Sequence, residues 1–207
     1  MLNIRIPSLT GVKQKGYYRQ NYYDGYIMKS FVEYAFSVFN KEGDCINAKN
    51  KISFGEIEFG TSIQDVIKLK GTPKYNLTRK YLTFTLTVLI FKDKVNNIKK
   101  KSIFYFIDGL LVAGEHKFSE LANDDVQFLK RMLFKKYESE RDIDSKDFFL
   151  RKEDNACIHF SDGFDVSVFY LSLTSSHKSI IQSEISKKAM LIEHKLAQKE
   201  SVLLKNL

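Results

Sequence analysis

The sequence predicts an α+β fold: an antiparallel sheet with short packed helices, a helix–strand–strand–strand unit in probable tandem repeat, and a long C-terminal helix. Three observations carry this. A short helix has both ends marked within residues 60–73. Asp108-Gly109 and Asp162-Gly163 each separate apolar, strand-like runs, and Asp-Gly favours the tight turn that joins antiparallel strands. Residues 177–207 contain neither Gly nor Pro and repeat apolar side chains at helical spacing.

The chain divides by pattern into four parts. Residues 1–58 read as a β-rich N-terminal segment. A hairpin folded around Asp24-Gly25 is the first reading of the run through residue 39. A helix over residues 27–39 is the second, since Phe31, Ala35 and Val38 also fit its period. Residues 52–59 alternate apolar and polar as Ile52, Phe54, Ile57 and Phe59, with Gly55 as a bulge.

Residues 59–120 form the first unit. Thr61 and Ser62 can cap the helix, with Gln64 and Asp65 at capping-box distance. Ile63, Val66 and Ile67 make its apolar stripe. Gly71 suits the left-handed position after the last turn, and Pro73 stops continuation. At about three turns this helix must pack on something to be stable. Residues 81–91 are rich in Thr, Phe, Leu, Val and Ile and read as strand. Residues 92–101 read as a polar, basic connection, and residues 102–107 and 110–118 as the strands flanking Asp108-Gly109.

Gly60, Ser62, Val66, Gly71 and Pro73 fit the spacing G-x-[ST]-x3-V-x4-G-x-P. This pattern resembles the helix that opens the small domain shared by β-lactamase-inhibitor proteins and the small lipoproteins of the bacterial outer-membrane assembly machine. The resemblance implies helices packed on an antiparallel sheet and a role in binding other proteins. Lys70 stands where that family carries leucine. The matching positions are caps, core and turn, so the resemblance transfers no binding residue.

Residues 121–175 form the second unit, sharing the first one's core. Asn123 or Asp124 starts a helix to about Tyr137, with Val126, Leu129, Leu133 and Tyr137 on one face. Strand-like runs follow at residues 148–150, 156–160 and 165–173. The β-lactamase-inhibitor proteins are themselves tandem repeats of such a unit. An α+β domain can also alternate this way without duplication.

Residues 176–207 form an amphipathic helix. Ile181, Ile185, Ala189, Ile192, Leu196 and Leu203 recur at steps of three, four or seven. It can lie on its own sheet, lie on a membrane surface, or pair with a copy or another protein. Its length exceeds what a small sheet needs, so Ile185, Ile192, Leu196 and Leu203 are the candidate protein-contact residues.

Composition narrows the chemistry. Seventeen Phe without a single Trp point to a core of benzyl rings. The four His have no HxxxH or HExxH spacing, and GxSxG, P-loop and GxGxxG are absent. Cys157 and His159 share a strand face, but a zinc site needs three or four ligands. Neither catalytic residues nor a cofactor or metal are expected, and an enzyme is the third-ranked class. The net charge of +8 and the cluster Lys94, Lys99, Lys100 and Lys101, with Arg19 among tyrosines, raise nucleic-acid association as the alternative to protein binding. No RNA- or DNA-binding motif accompanies them. Residues 1–10 lack the pattern of a secretory signal and no run is long enough to span a membrane, so a reduced, cytoplasmic protein is expected.

Overall fold

Two sets of apolar side chains, alternating along the long strands apart from one bulge, cover the two faces of one sheet. The computed structural model describes residues 28–41, 45–95, 98–139, 145–152 and 155–205. In chain order the elements are α1 (Met28–Phe39), β1 (Cys45–Asn47), α2 (Ile63–Lys70), β2 (Tyr75–Lys80), β3 (Thr85–Val95), β4 (Ile98–Ile107), β5 (Leu110–Ser119), α3 (Asn123–Lys136), β6 (Asp147–Lys152), β7 (Ala156–Asp162), β8 (Val166–Ser172) and α4 (Ser175–Lys205). The eight strands run in the order β1-β6-β7-β8-β5-β4-β3-β2. All neighbours are antiparallel except β1 and β6. This is an α+β fold with a mostly antiparallel sheet and a long C-terminal helix.

The first core lies under α2 and α3. Leu89, Phe91, Phe104, Phe106, Phe148, Phe160 and Tyr170 face it from the sheet, with Val66, Val126 and Leu133 from the helices. The second core lies under α1 and the start of α4. It holds Val88, Ile90, Ile103, Tyr105, Phe169 and Leu171 from the sheet against Met28, Phe31, Val32, Ala35 and Ile181.

The marked helix is α2. Ser62, rather than Thr61, is its cap: the Asp65 N–H donates to Ser62 Oγ at 3.2 Å, and the Ser62 hydroxyl donates to Asp65 Oδ2 at 2.7 Å. Gly71 has φ 81° and donates its N–H to Ile67 O at 2.8 Å, the left-handed geometry that glycine tolerates. Val66 is fully buried, with Ile63 and Ile67 packed beside it. In α3, Asp125 returns to the start of the helix, its side chain accepting from the Ala122 N–H at 3.4 Å.

Three expectations are corrected. Residues 28–39 are helix, because Met28, Phe31, Val32, Ala35, Val38 and Phe39 are buried at helical and not alternating positions; Asp24-Gly25 lies outside the described residues. Residues 52–59 are not a strand. Gly55 and Glu56 have φ 56° and 69°, and Phe54 and Ile57 exchange both backbone hydrogen bonds at 3.0 Å across this two-residue turn. Residues 92–101 are not a connection. Lys92, Asp93 and Lys94 pair with Lys101, Lys100 and Lys99, continuing the β3–β4 ladder.

Helix, then antiparallel strands, occurs twice: α2 before β2–β5, α3 before β6–β8. Both helices pack on the first core, and the halves meet where β5 pairs with β8. The first half has four strands rather than three. Asp108 and Gly109 have φ 48° and 86° and make a two-residue turn, whereas residues 163–165 make a wider one. Among the described residues no helix is long and apolar enough to cross a membrane.

The strand β5 contains a bulge. Tyr105 pairs with Ala113 and Phe106 with Leu111, so Val112 is an extra residue. Leu111 faces the first core, while Val112 and Ala113 both face the second. The bulge reverses the phase of everything after it. Gly114, His116 and Phe118 therefore turn toward the first core, and Glu115 and Lys117 toward the second.

Candidate functional site

Beyond the end of the second core, α1 and the sheet enclose a cleft of ≈ 380 Å³. One register row crosses the sheet at its mouth: Lys92, Lys101, Lys117, Ser167, Ser161 and Asp147. The next row inward carries Ile103, Glu115, Phe169, His159 and Phe149. Helix α1 supplies Ser30, Phe31 and Tyr34 as the opposite wall.

Glu115 is buried and its carboxylate is occupied. It accepts from the Tyr105 hydroxyl at 3.0 Å and the Ser167 hydroxyl at 2.7 Å, and pairs with Lys117 Nζ at 3.3 Å. A carboxylate so engaged organises its neighbours. Burial, then the Glu115 charge, pushes the Tyr105 hydroxyl well up, and the same two causes raise Tyr34. Both stay protonated donors near neutrality.

His159 is fixed on three sides. Its ring stacks on Phe149 at 4.2 Å with an interplanar angle of 1°. Its Nδ1 is hydrogen-bonded to the Tyr34 hydroxyl, and Nε2 lies 4.0 Å from Asp147 Oδ1. Burial lowers its pKa below the ordinary imidazole value, with Asp147 opposing, so the ring is neutral at pH 7. The Asp147 carboxylate favours the ring proton on Nε2, which leaves Nδ1 to accept from Tyr34.

The expected site residues scatter. Lys94, Lys99 and Lys101 share the cleft's face by parity, but Lys100 faces the first core, near His116. Lys99 is held by Glu120 at 2.8 Å. Arg19 lies outside the described residues. Ile185 packs against the protein's own second core. Ile192, Leu196 and Leu203 are 52%, 54% and 64% exposed. Cys157 does share a face with His159, but burial pushes its thiol up to about 12, which keeps it from being a thiolate ligand or nucleophile. Among the described residues no three His, Cys, Asp or Glu side chains gather as a metal site.

Helix α4 has two halves. Ile181 is fully buried, and the buried Glu184 accepts from both the N–H and hydroxyl of Thr83 at 2.8 Å. Lys188 reaches Glu33 of α1 at 3.2 Å. Every described side chain from Ser186 to Ser201 is exposed. Residues 189–205 thus carry about 25 Å of helix past the last of these contacts. Comparison of the chain with family models, with curated proteins and with solved structures gives no match.

Proposed function

We propose that this chain is a non-catalytic protein-binding module of inhibitor, immunity or assembly type, which engages a protein partner or a second copy through the outer half of α4. The observation that carries the reading is the exposure of Ile192, Leu196 and Leu203 on one face of a helix whose contacts with the body, among the described residues, lie in its first half. Apolar side chains grouped on a soluble surface mark an interaction site. The resemblance of α2 to the opening helix of a protein-binding family supports the same reading. The free thiols of Cys45 and Cys157 suit the reducing cytoplasm. A second reading, nucleic-acid association, draws on the lysines that share one sheet face. It is weakened by the opposite orientation of Lys100 and the engagement of Lys99 with Glu120.

Sedimentation velocity and a thermal melt of wild type and Ile192→Glu/Leu196→Glu test the reading. The wild type should self-associate or co-sediment with a protein partner. The variant should lose this and melt at the same temperature. A wild type that stays monomeric and partnerless, with a variant that melts earlier, would mean that the helix serves its own fold.

A further inference from the structure

We infer that the cleft beneath α1 binds a small ring-bearing molecule with a terminal oxyanion, a carboxylate or a phosphate. The inference is independent of the role proposed for α4, which lies outside the cleft's lining.

Size and lining come first. A volume of ≈ 380 Å³ falls in the range of small-molecule sites, which combine apolar walls with a few convergent polar groups. Here the apolar part is aromatic. Phe31 stacks on Tyr105 at 4.6 Å, and Tyr34 meets Phe169 edge-on at 4.7 Å. An aromatic lining on two sides favours a ring-bearing guest.

Hydrogen-bond inventory sets the charge. Glu115 is the carboxylate among the lining residues, and three donors already engage it. Lys117 has three N–H donors and no acceptor, and Glu115 accounts for one of them. Nε2 of His159, the donor in the tautomer that Asp147 favours, lies 4.0 Å from Asp147 Oδ1, beyond hydrogen-bond reach. Lys101 is the register partner of Lys117 on the same face. The lining therefore holds surplus donors; its own charges, Glu115 and Lys117, balance, and the mouth row adds Lys92 and Lys101 against the single carboxylate of Asp147. A guest that supplies acceptors and negative charge completes it, whereas a cationic guest would compete with Lys117 for Glu115.

The bulge at Val112 supports a built site. Were β5 regular, with Val112 taking a place in the ladder, Glu115 and Lys117 would turn into the first core, where the buried Phe54 and Phe104 leave no room for an ion pair. Bulges are a recurrent device for re-aiming side chains beside binding sites.

Amide-resolved NMR titration of the full chain with phenyl phosphate, benzoate and inorganic phosphate tests the inference. Phenyl phosphate or benzoate should bind saturably at one site, at least about tenfold more tightly than inorganic phosphate. Shifts should centre on residues 30–34, 115–117 and 159–161. Which of the two ring compounds binds more tightly identifies the oxyanion. Lys117→Met should weaken binding at least about tenfold, and Lys99→Met, in the same sheet but bonded to Glu120, should not. Three results would overturn the inference: no saturation by any probe, shifts confined to the lysine-rich β3–β4 tip, or equal losses in both variants. The shift map needs no variant, so it decides the matter even if Lys117→Met misfolds.

Discussion

Gly114→Ala should be among the most damaging single-methyl additions in this protein. A Cβ on Gly114 would lie 2.1 Å from Phe54 Cδ1 and 2.2 Å from its Cγ, where carbon atoms normally sit about 3.5–4.0 Å apart. The backbone at Gly114 is not in the left-handed region, and the three atoms nearest the added Cβ all belong to the Phe54 ring, so that ring is the obstacle. That ring cannot retreat. It is fully buried, meets Phe104 at 4.7 Å, His116 at 4.5 Å and Tyr170 at 5.3 Å, and hangs from the Gly55-Glu56 turn. Overpacking costs about 1–3 kcal/mol where neighbours can shift, and losing a buried Phe costs about 3–5 kcal/mol. Gly114→Ala should therefore destabilise by about 3 kcal/mol, roughly a 10 °C fall in Tm for a chain of this size. In a Phe54→Ala background the clash is gone, and the same change should be neutral or stabilising by about 0.5 kcal/mol, since alanine orders more cheaply than glycine in a strand. Urea unfolding of the four proteins of this cycle, followed by far-ultraviolet circular dichroism because the chain has no Trp, gives the coupling. A coupling near 3 kcal/mol is expected. Additive losses, within about 0.5 kcal/mol, would refute the contact between the ring and the glycine.

Val66→Asp buries an unpaired charge under α2 and should cost about 3 kcal/mol or more; an unchanged urea midpoint would show that this helix does not pack through Val66. Glu184→Ala leaves the Thr83 N–H without its acceptor and should cost about 2 kcal/mol, with faster proteolysis of α4; unaltered stability and cleavage would contradict the anchor. Burial, then Lys100, Lys70 and Lys136, lowers His116 to about 3 from 6.5. Between those values the unfolded chain binds the proton and the folded one does not, so stability holds above pH 6.5 and falls as pH drops toward 3. At pH 5 this amounts to about 2 kcal/mol, and His116→Phe should show that much less acid sensitivity than wild type between pH 7.5 and 5. An identical pH slope in the two proteins would mean that His116 titrates freely.

Elements with marked ends were legible in the sequence. The cap, stripe and stop of α2 all lie within fourteen consecutive residues, and the two-residue turn at Asp108-Gly109 follows from its two residues. What escaped is set by partners distant in the chain. Helix α1 presents alternation and helical spacing at once, and only burial of Met28 and Phe39 on one side separates them. The strand β2 is polar because it is an edge with a single buried residue, Leu77. The lysines of residues 92–101 read as loop because charge usually marks solvent, yet a ladder that outruns its covering helix is solvated too. The cleft draws on α1, β4, β5, β7 and β8, and only the finished sheet brings these together. Its trace in the sequence is faint: Glu115 and His159 are polar residues within apolar runs, each at an inward position. For Glu115 even that depends on the bulge at Val112, which no simple alternation reveals.

The seam between β5 and β8 also governs how the protein assembles itself. Within β2–β5 and within β6–β8 every strand pairs with its neighbour in sequence, so each of these sheets can zip from a local turn with little loss of chain entropy. Joining them closes a loop of about fifty residues and is the slow, entropically costly event. Each half leaves an open apolar edge until then, β5 on one side and β8 on the other. Those two edges are mutual templates, within a chain or between chains. At high concentration during refolding, the β5 of one molecule could pair with the β8 of another, and the same six register pairs that complete the monomer would then link a domain-swapped chain of copies.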